Sequence, residues 1–189
     1  MSAREPGVEP PVKPPLKRQR SVVIVNTGDG KGKSTAAFGT VMRAVARGWR
    51  VSVVQFVKSN QWKVGEEQVC RRLGVEWAKT GDGFSWLSDD LERSRALAGA
   101  AWELARGLIE AGEHRLVVLD EITYPIAWGW IPGDEVARTL SERPEAVNVI
   151  ATGRDAPAEL IEVADTVTEM RKIRHAYDSG VRAKRGIDF

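Results

Sequence analysis

The chain has few of the residues that metal and redox proteins depend on. Its 189 residues include one cysteine, Cys70, and two histidines, His114 and His175. A single cysteine excludes an intramolecular disulfide and a cysteine-rich zinc site. Neither histidine stands in a recognisable triad with a serine or cysteine nucleophile. We therefore expect a reaction driven by a nucleotide, by a metal ion, or by a nucleophile that arrives on the substrate.

Long apolar runs are also missing from the sequence. None approaches the roughly 20 residues that a membrane span needs, and the first residues contain no apolar segment of the kind found in secretory signals. We therefore expect a cytoplasmic protein that spans no membrane. At 189 residues, the chain is long enough for one domain with a sizeable core.

Positive charge is concentrated at the two ends of the chain. Residues 1–20 hold five basic and two acidic side chains, and residues 171–189 hold six and two, which leaves 17 basic against 22 acidic side chains between them. Residues 1–20 also contain five of the nine prolines, which predicts a flexible, proline-rich, basic arm before a domain over 21–189. Basic ends bind nucleic acid or other anions, or simply keep a chain soluble.

The most informative stretch is Thr27–Ser34, which reads Thr-Gly-Asp-Gly-Lys-Gly-Lys-Ser. An apolar run over 22–25 precedes it and a helix-like run over 35–47 follows, which is the layout of a phosphate-binding P-loop. Backbone N–H groups and the helix N-terminus are expected to bind phosphates, with Lys33 on terminal oxygens and Ser34 on Mg²⁺. The usual spacing has glycine where this chain has Thr27. The expected nucleotide contacts in this stretch are Gly28, Asp29, Gly30, Lys31, Gly32, Lys33, Ser34 and Thr35.

Apolar strands and helical segments alternate along the whole chain. Strands are predicted over 22–26, 51–57, 75–78, 116–121, 147–151 and 166–168, with helices between them. The strands are nearly continuous apolar runs, which is typical of a sheet covered on both faces. The pattern predicts an α/β fold of the RecA-like P-loop NTPase kind, with a mostly parallel sheet of about six strands and helices on both faces.

Two further motifs follow predicted strands and should lie at the same sheet edge as the loop. The run 116–119 ends in Asp120 and Glu121, which is typical of a Walker-B strand. Either carboxylate is a candidate to hold Mg²⁺, or Mn²⁺ in its place, and in a hydrolytic ATPase Glu121 would instead orient the attacking water. Thr152-Gly153-Arg154 follows another strand. Arg154 is expected to contact phosphate or ribose, unless it is an ordinary surface arginine.

A glycine-rich loop after the third predicted strand carries two aromatic side chains, Phe84 and Trp86. Aromatic residues in a loop indicate a flat apolar ligand or a partner. Anchoring of the loop to the core explains them equally well when the loop is considered alone.

Taken together, these motifs resemble the P-loop class of ATP:corrinoid adenosyltransferases. The resemblance covers about residues 20–189 and includes the shifted first glycine of the phosphate loop. Two local departures are Asp155, where a small residue is expected, and Ala176, where the family often has proline. The stretches that carry the resemblance are 27–34, 54–58, 83–86, 118–124, 152–154 and 167–189.

The resemblance implies transfer of the 5′-deoxyadenosyl group of ATP to the Co(I) centre of a reduced corrinoid, with release of triphosphate, in adenosylcobalamin biosynthesis or salvage. It assigns catalytic roles to Phe84, Trp86 and Lys33; the two aromatics would displace the lower axial ligand of cobalt and ease reduction of Co(II). It also implies an electron donor such as a flavoprotein and a homodimer, with no nucleic acid. The arm matches, in position only, a segment that closes over the corrinoid.

Two other functions compete with this interpretation. A RecA-like ATPase would bind nucleic acid through the basic ends, although no basic stripe interleaved with aromatics is present in the central part of the chain. A binding module would sense ATP without turnover.

Overall fold

The computed structural model describes residues 20–59, 65–81 and 91–188. These ranges contain six strands and six α-helices, with one helix between successive strands except for two between the fourth and fifth, and a short 3₁₀ helix over Ala176–Ser179 follows the last strand. The strands are β1 (Val23–Thr27), β2 (Val51–Ser59), β3 (Glu76–Gly81), β4 (Leu116–Asp120), β5 (Asn148–Thr152) and β6 (Thr166–Glu169). The helices are α1 (Lys33–Ala46), α2 (Gly65–Arg72), α3 (Leu91–Glu110), α4 (Thr123–Ala127), α5 (Gly133–Glu142) and α6 (Ala158–Val163).

The six strands form one sheet in the order β3-β2-β4-β5-β1-β6. Every neighbouring pair is parallel, so all six carboxyl ends lie at one edge. β5 lies between β1, which leads into the glycine-rich loop, and β4, which ends in Asp120. In this order, only β5 separates the phosphate loop from the acidic end of β4. Ligands of open parallel sheets bind in a crevice outside the carboxyl ends of the strands, so this edge is the expected ligand site.

Helices cover both faces of the sheet. Successive residues of a strand point to opposite faces, so each strand contributes side chains to both cores. In β4, Val117 and Leu119 join the core cluster that contains α3 and α5, whereas Leu116 and Val118 pack with α1 and Cys70 of α2. All five residues of β4 are buried, as expected of a strand that is covered on both faces.

The predicted α/β class, six strands and two-sided helix cover are confirmed, and the sheet is parallel throughout. The sequence did not predict α4, because Pro125 within it normally signals a break. Pro125 occupies the first turn of α4, where a backbone N–H has no helical partner to lose. None of the helices in the described ranges is long and apolar enough to cross a bilayer.

Candidate nucleotide-binding site

The glycine-rich loop joins β1 to α1 and is closed by its own lysine. Lys33 is the first residue of α1, and its Nζ donates hydrogen bonds to the carbonyl oxygens of Gly28, at 2.6 Å, and Gly30, at 2.7 Å. The ammonium group therefore spans the loop. Gly32, which precedes the helix, has φ of 117°, a conformation that favours glycine.

The charge of Lys33 lies in a polar cluster at the loop. Burial lowers the pKa of Lys33, and the cation of Arg154 lowers it further, whereas the carboxylates of Asp29, Glu121 and Asp155 act in the opposite direction. Phosphate oxygens are stronger hydrogen-bond acceptors for an ammonium group than backbone carbonyls are. A phosphate at this loop would therefore compete effectively for the lysine.

The spacing of the loop glycines follows from a close crossing by the chain after β6. The Gly30 N–H donates to the carbonyl oxygen of Met170 at 2.5 Å, and the Met170 N–H donates to the carbonyl oxygen of Thr27 at 2.8 Å. A Cβ on Gly28 would lie 2.7 Å from the Met170 oxygen, and one on Gly30 would lie 2.5 Å from it. Neither position has room for a side chain, so the early glycines accommodate Met170.

Thr27, which stands where the motif usually has its first glycine, joins the phosphate loop to the turn after β5 by a hydrogen bond. The hydroxyl oxygen of Thr27 accepts a hydrogen bond from the backbone N–H of Ala156 at 3.1 Å, and the side chain is buried. Ala156 belongs to the turn that follows β5 and carries Arg154. The hydroxyl therefore ties the start of the phosphate loop to a second loop of the site.

We expect Thr27→Val to destabilise the fold by about 1–3 kcal/mol, because valine keeps the shape but leaves the Ala156 N–H without its acceptor. Urea unfolding followed by circular dichroism measures this change. Thr27→Ser keeps the hydroxyl and should recover most of the loss. Equal stability of the valine variant and the native protein would contradict the role given to the hydroxyl.

The end of β4 places its two carboxylates in different surroundings. Asp120 is fully buried; its Oδ1 accepts from the Thr152 hydroxyl at 2.8 Å and its Oδ2 accepts from Gln55 Nε2 at 2.7 Å. Glu121 is only half-buried, and its φ of 66° is unusual for a residue with a side chain. Its backbone N–H donates to the same Thr152 hydroxyl at 3.0 Å. Thr152 therefore holds the turn that presents Glu121.

Arg154 lies beside the phosphate loop, as its position after a strand predicts. Its Nε is 3.8 Å from Asp29 Oδ1 across the two loops, and both side chains are exposed. Asp155, the departure from the family pattern, has φ of 49°, a conformation that aspartate tolerates better than most residues do. The pKa of Tyr124 is raised by burial, with Arg154 and Glu121 acting on it in opposite directions.

The structure brings the predicted loop residues, both β4 carboxylates and Arg154 to one edge of the sheet. Phe84 and Trp86 lie outside the described residues. Gln55 and Thr152 support the site although sequence reasoning gave them no individual role; a lone glutamine in an apolar strand is the signal that marks Gln55. Ala176, the other departure, begins the 3₁₀ helix after His175, whose Nδ1 accepts from the Tyr177 N–H at 3.2 Å.

A parallel α/β sheet with a glycine-rich lysine loop on β1 and an acidic end on β4 defines a protein of the P-loop NTPase-like fold. A family model described as ATP:corrinoid adenosyltransferase BtuR/CobO/CobP matches residues 19–189. The chain therefore belongs to the ATP:corrinoid adenosyltransferase family, whose members are transferases.

Relatives that are named corrinoid adenosyltransferases align over nearly the whole chain. A corrinoid adenosyltransferase of Escherichia coli K12 is 43% identical over 171 residues, which cover 90% of this chain and 87% of the relative. The corrinoid adenosyltransferase of Salmonella typhimurium is 42% identical over 173 residues, covering 92% and 88%. The corresponding protein of Pseudomonas aeruginosa is also 42% identical over 173 residues, covering 90% and 85%.

Proposed function

We propose that this protein transfers the 5′-deoxyadenosyl group of ATP to the cobalt of a reduced corrinoid in adenosylcobalamin biosynthesis or salvage. Family membership and the names of the relatives support the reaction class. The observation that carries the proposal for this chain is the meeting of the phosphate loop, Glu121 and Arg154 at one sheet edge, where the charges of both side chains act on Lys33. The site accordingly offers a basic, half-buried cradle beside a carboxylate.

The proposed reaction explains why the site needs no histidine base. The electron pair of Co(I) attacks the ribose C5′, the bond from C5′ to oxygen breaks, and triphosphate leaves with that bonding pair. Cobalt is formally oxidised to Co(III), and no proton has to be removed from the nucleophile. The chain's task is to hold the nucleotide in line and to stabilise charge on the leaving triphosphate. Lys33 and the N–H groups at the start of α1, with Arg154 beside them, are suited to that task.

The donor set near the loop fits a divalent cation held jointly with phosphates. In the described ranges, no group of three or more His, Cys, Asp and Glu side chains could hold a metal ion alone. Mg²⁺ at nucleotide sites takes only one or two protein carboxylates and completes its shell with phosphate and water oxygens. Ser34, at the start of α1, and Glu121 are the proposed ligands. Both oxygens of Asp120 already accept hydrogen bonds, which favours contact through water. The ion would neutralise triphosphate charge.

The strand order supports a corrinoid site away from the phosphate loop but on the same edge. β3, whose carboxyl end leads into the stretch with Phe84 and Trp86, lies four strands from β1. Four inter-strand spacings amount to about 19 Å, which leaves room along this edge for a flat ligand beside the nucleotide. We assign the corrinoid to the β3 side of the phosphate loop.

Other parts of the proposal rest on the sequence and the family resemblance alone. They are a homodimeric state, an electron donor such as a flavoprotein, a cytoplasmic location, and an arm over 1–20 that closes on the corrinoid. Residues 1–19 of that arm lie outside the described ranges. Arg20, where the described chain begins, is held at the opposite sheet edge by Glu145 at 2.5 Å.

The function is tested by incubating the protein with MgATP and chemically reduced cob(I)alamin. Expected products are inorganic triphosphate and a corrinoid with a new cobalt–carbon bond, measured by phosphate chromatography and by absorbance spectra before and after photolysis. Formation of ADP and phosphate without an adenosylated corrinoid would contradict the proposal and favour an ATPase. ATP binding without turnover of any corrinoid would favour a sensing module.

Phe84→Ala and Trp86→Ala should slow reduction of bound Co(II) corrinoid more than they slow reaction of pre-reduced Co(I). The reason is that an axial donor left on cobalt destabilises the orbital that accepts the electron. Two assays on each variant measure this: one starts from Co(II) with a reductant, and the other starts from Co(I).

Trp49→Phe provides a control for the two aromatic variants, because Trp49 packs against the core near α1 and Arg115. It should leave the ratio of the two rates unchanged. If the aromatic variants lose the same fraction of activity in both assays, the rings only shape the pocket. The optical spectrum of Co(II)cobalamin with protein and MgATP gives an independent readout of four-coordinate cobalt.

A further inference from the structure

The C-terminal segment 180–188 returns to the phosphate loop. Lys31, between two loop glycines, forms an ion pair through its Nζ with Asp188 Oδ1. The other carboxylate oxygen, Oδ2, accepts the backbone N–H of Lys184 at 2.7 Å, and the Asp188 N–H donates to the Lys184 carbonyl at 2.8 Å. Asp188 is therefore fixed by its own turn before it meets the loop.

The contact lies on the part of the loop that the proposed function assigns to triphosphate. The side chain of Lys31 is 50% exposed and that of Asp188 is 27% exposed, so both reach the surface rather than the core. The Lys184 N–H and the Lys31 cation hold the pKa of Asp188 below its usual range. The carboxylate is therefore ionised near neutral pH, and its charge offsets that of Lys31.

We propose that Asp188 is a positioning residue of the phosphate site, which holds Lys31 against the C-terminal segment and competes with triphosphate for it. The inference deepens the proposed function and rests on it. When triphosphate occupies the loop, Lys31 exchanges the Asp188 carboxylate for phosphate oxygens. Asp188 thereby limits how tightly the loop retains a highly charged anion, including triphosphate that remains after adenosyl transfer.

The test measures binding of inorganic tripolyphosphate and of MgATP by isothermal titration calorimetry, without corrinoid. Asp188→Asn keeps the shape of the side chain and removes its charge. Because an exposed ion pair is worth little, we expect tripolyphosphate to bind about two- to fivefold more tightly to this variant. Unchanged or weaker binding would overturn the inference.

A double-variant cycle separates a role through Lys31 from a general charge effect. In a Lys31→Gln background, Asp188→Asn should change the affinity for tripolyphosphate less than about 1.5-fold, because the lysine that it releases is gone. If the full tightening persists in that background, Asp188 acts only through its charge and the positioning role is wrong. Urea unfolding of each variant checks that the fold is retained.

Asp178→Asn is the matched control, since Asp178 is an exposed carboxylate of the same C-terminal segment that pairs with Lys172 at 3.1 Å instead of with the loop. Its affinity for tripolyphosphate should equal that of the native chain. Equal tightening by both variants would overturn the inference. If the native protein binds neither MgATP nor tripolyphosphate, the proposed function fails together with the inference; if it binds both and Asp188→Asn has no effect, the inference fails alone.

Discussion

Replacing Lys33 with alanine is expected to weaken MgATP binding by about 100-fold, which corresponds to about 2.7 kcal/mol for a charge-assisted contact. The half-buried ammonium group spans the loop and bonds the carbonyls of Gly28 and Gly30. The substitution removes both this closure and the main positive charge offered to the triphosphate. Calorimetric titration with MgATP measures the affinity, and the adenosylation assay should show a matching loss of kcat/KM.

Lys172→Ala is the control for the loss of one positive charge, because Lys172 is exposed and pairs with Asp178. Its affinity for MgATP should stay within about twofold of the native value, since surface charges are screened by salt. Near-normal binding by Lys33→Ala would contradict the triphosphate role. If Lys33→Ala lost affinity for MgATP only because the whole protein unfolds, Lys33 would stabilise the loop without binding the triphosphate.

The strands and the phosphate loop could be predicted because their signals are local. β4 is a continuous apolar run that ends in two acids, and α1 starts directly at the lysine of the loop. These features reflect burial on both sheet faces and helix initiation, and both are encoded within a few neighbouring residues. The position of Arg154 at the carboxyl edge of the sheet could also be predicted, because Arg154 closely follows an apolar strand and the strands were expected to be parallel.

The contacts that shape the loop could not be predicted, because they join residues far apart in sequence. Thr27 accepts a hydrogen bond from Ala156, which is 129 residues away, and the pair of Lys31 with Asp188 spans 157 residues. The motif marks Thr27 only as a departure from glycine. In the fold, its hydroxyl accepts the hydrogen bond that joins two loops of the site. Such roles depend on how distant loops meet, and a single sequence holds no periodic signal for that.

The two carboxylates after β4 illustrate a finer limit of sequence reasoning. Asp120 and Glu121 are equivalent candidates in a motif, since both are acidic and both end the same strand. The family resemblance favours Glu121 over Asp120 near Mg²⁺, and the fold gives a physical reason: Asp120 is buried and bonded to Gln55 and Thr152, whereas Glu121 turns out of the strand at a positive φ. Backbone conformation at a strand end depends on neighbouring strands, so this reason is not visible in the motif.

Gly30→Ala should separate the chain after β6 from the phosphate loop. A Cβ at this position would lie 2.5 Å from the Met170 oxygen and 2.7 Å from the Met170 carbonyl carbon. Both are backbone atoms, so the clash is relieved only by moving the crossing segment and losing the hydrogen bond between Gly30 and Met170. We expect the free energy of unfolding to fall by about 1–3 kcal/mol, as for other overpacked sites. Urea unfolding measures it.

Gly39→Ala is the matched control for this steric argument, since Gly39 lies in α1 with nothing within 4 Å of an added Cβ. It should stabilise the protein by about 0.5–1 kcal/mol, because alanine suits a helix interior better than glycine. The two substitutions add the same methyl group, one in the loop before α1 and one within α1, yet their effects should have opposite signs. If Gly30→Ala were also neutral or stabilising, Met170 would not press on the loop, and the glycine spacing would need a cause in the ligand instead.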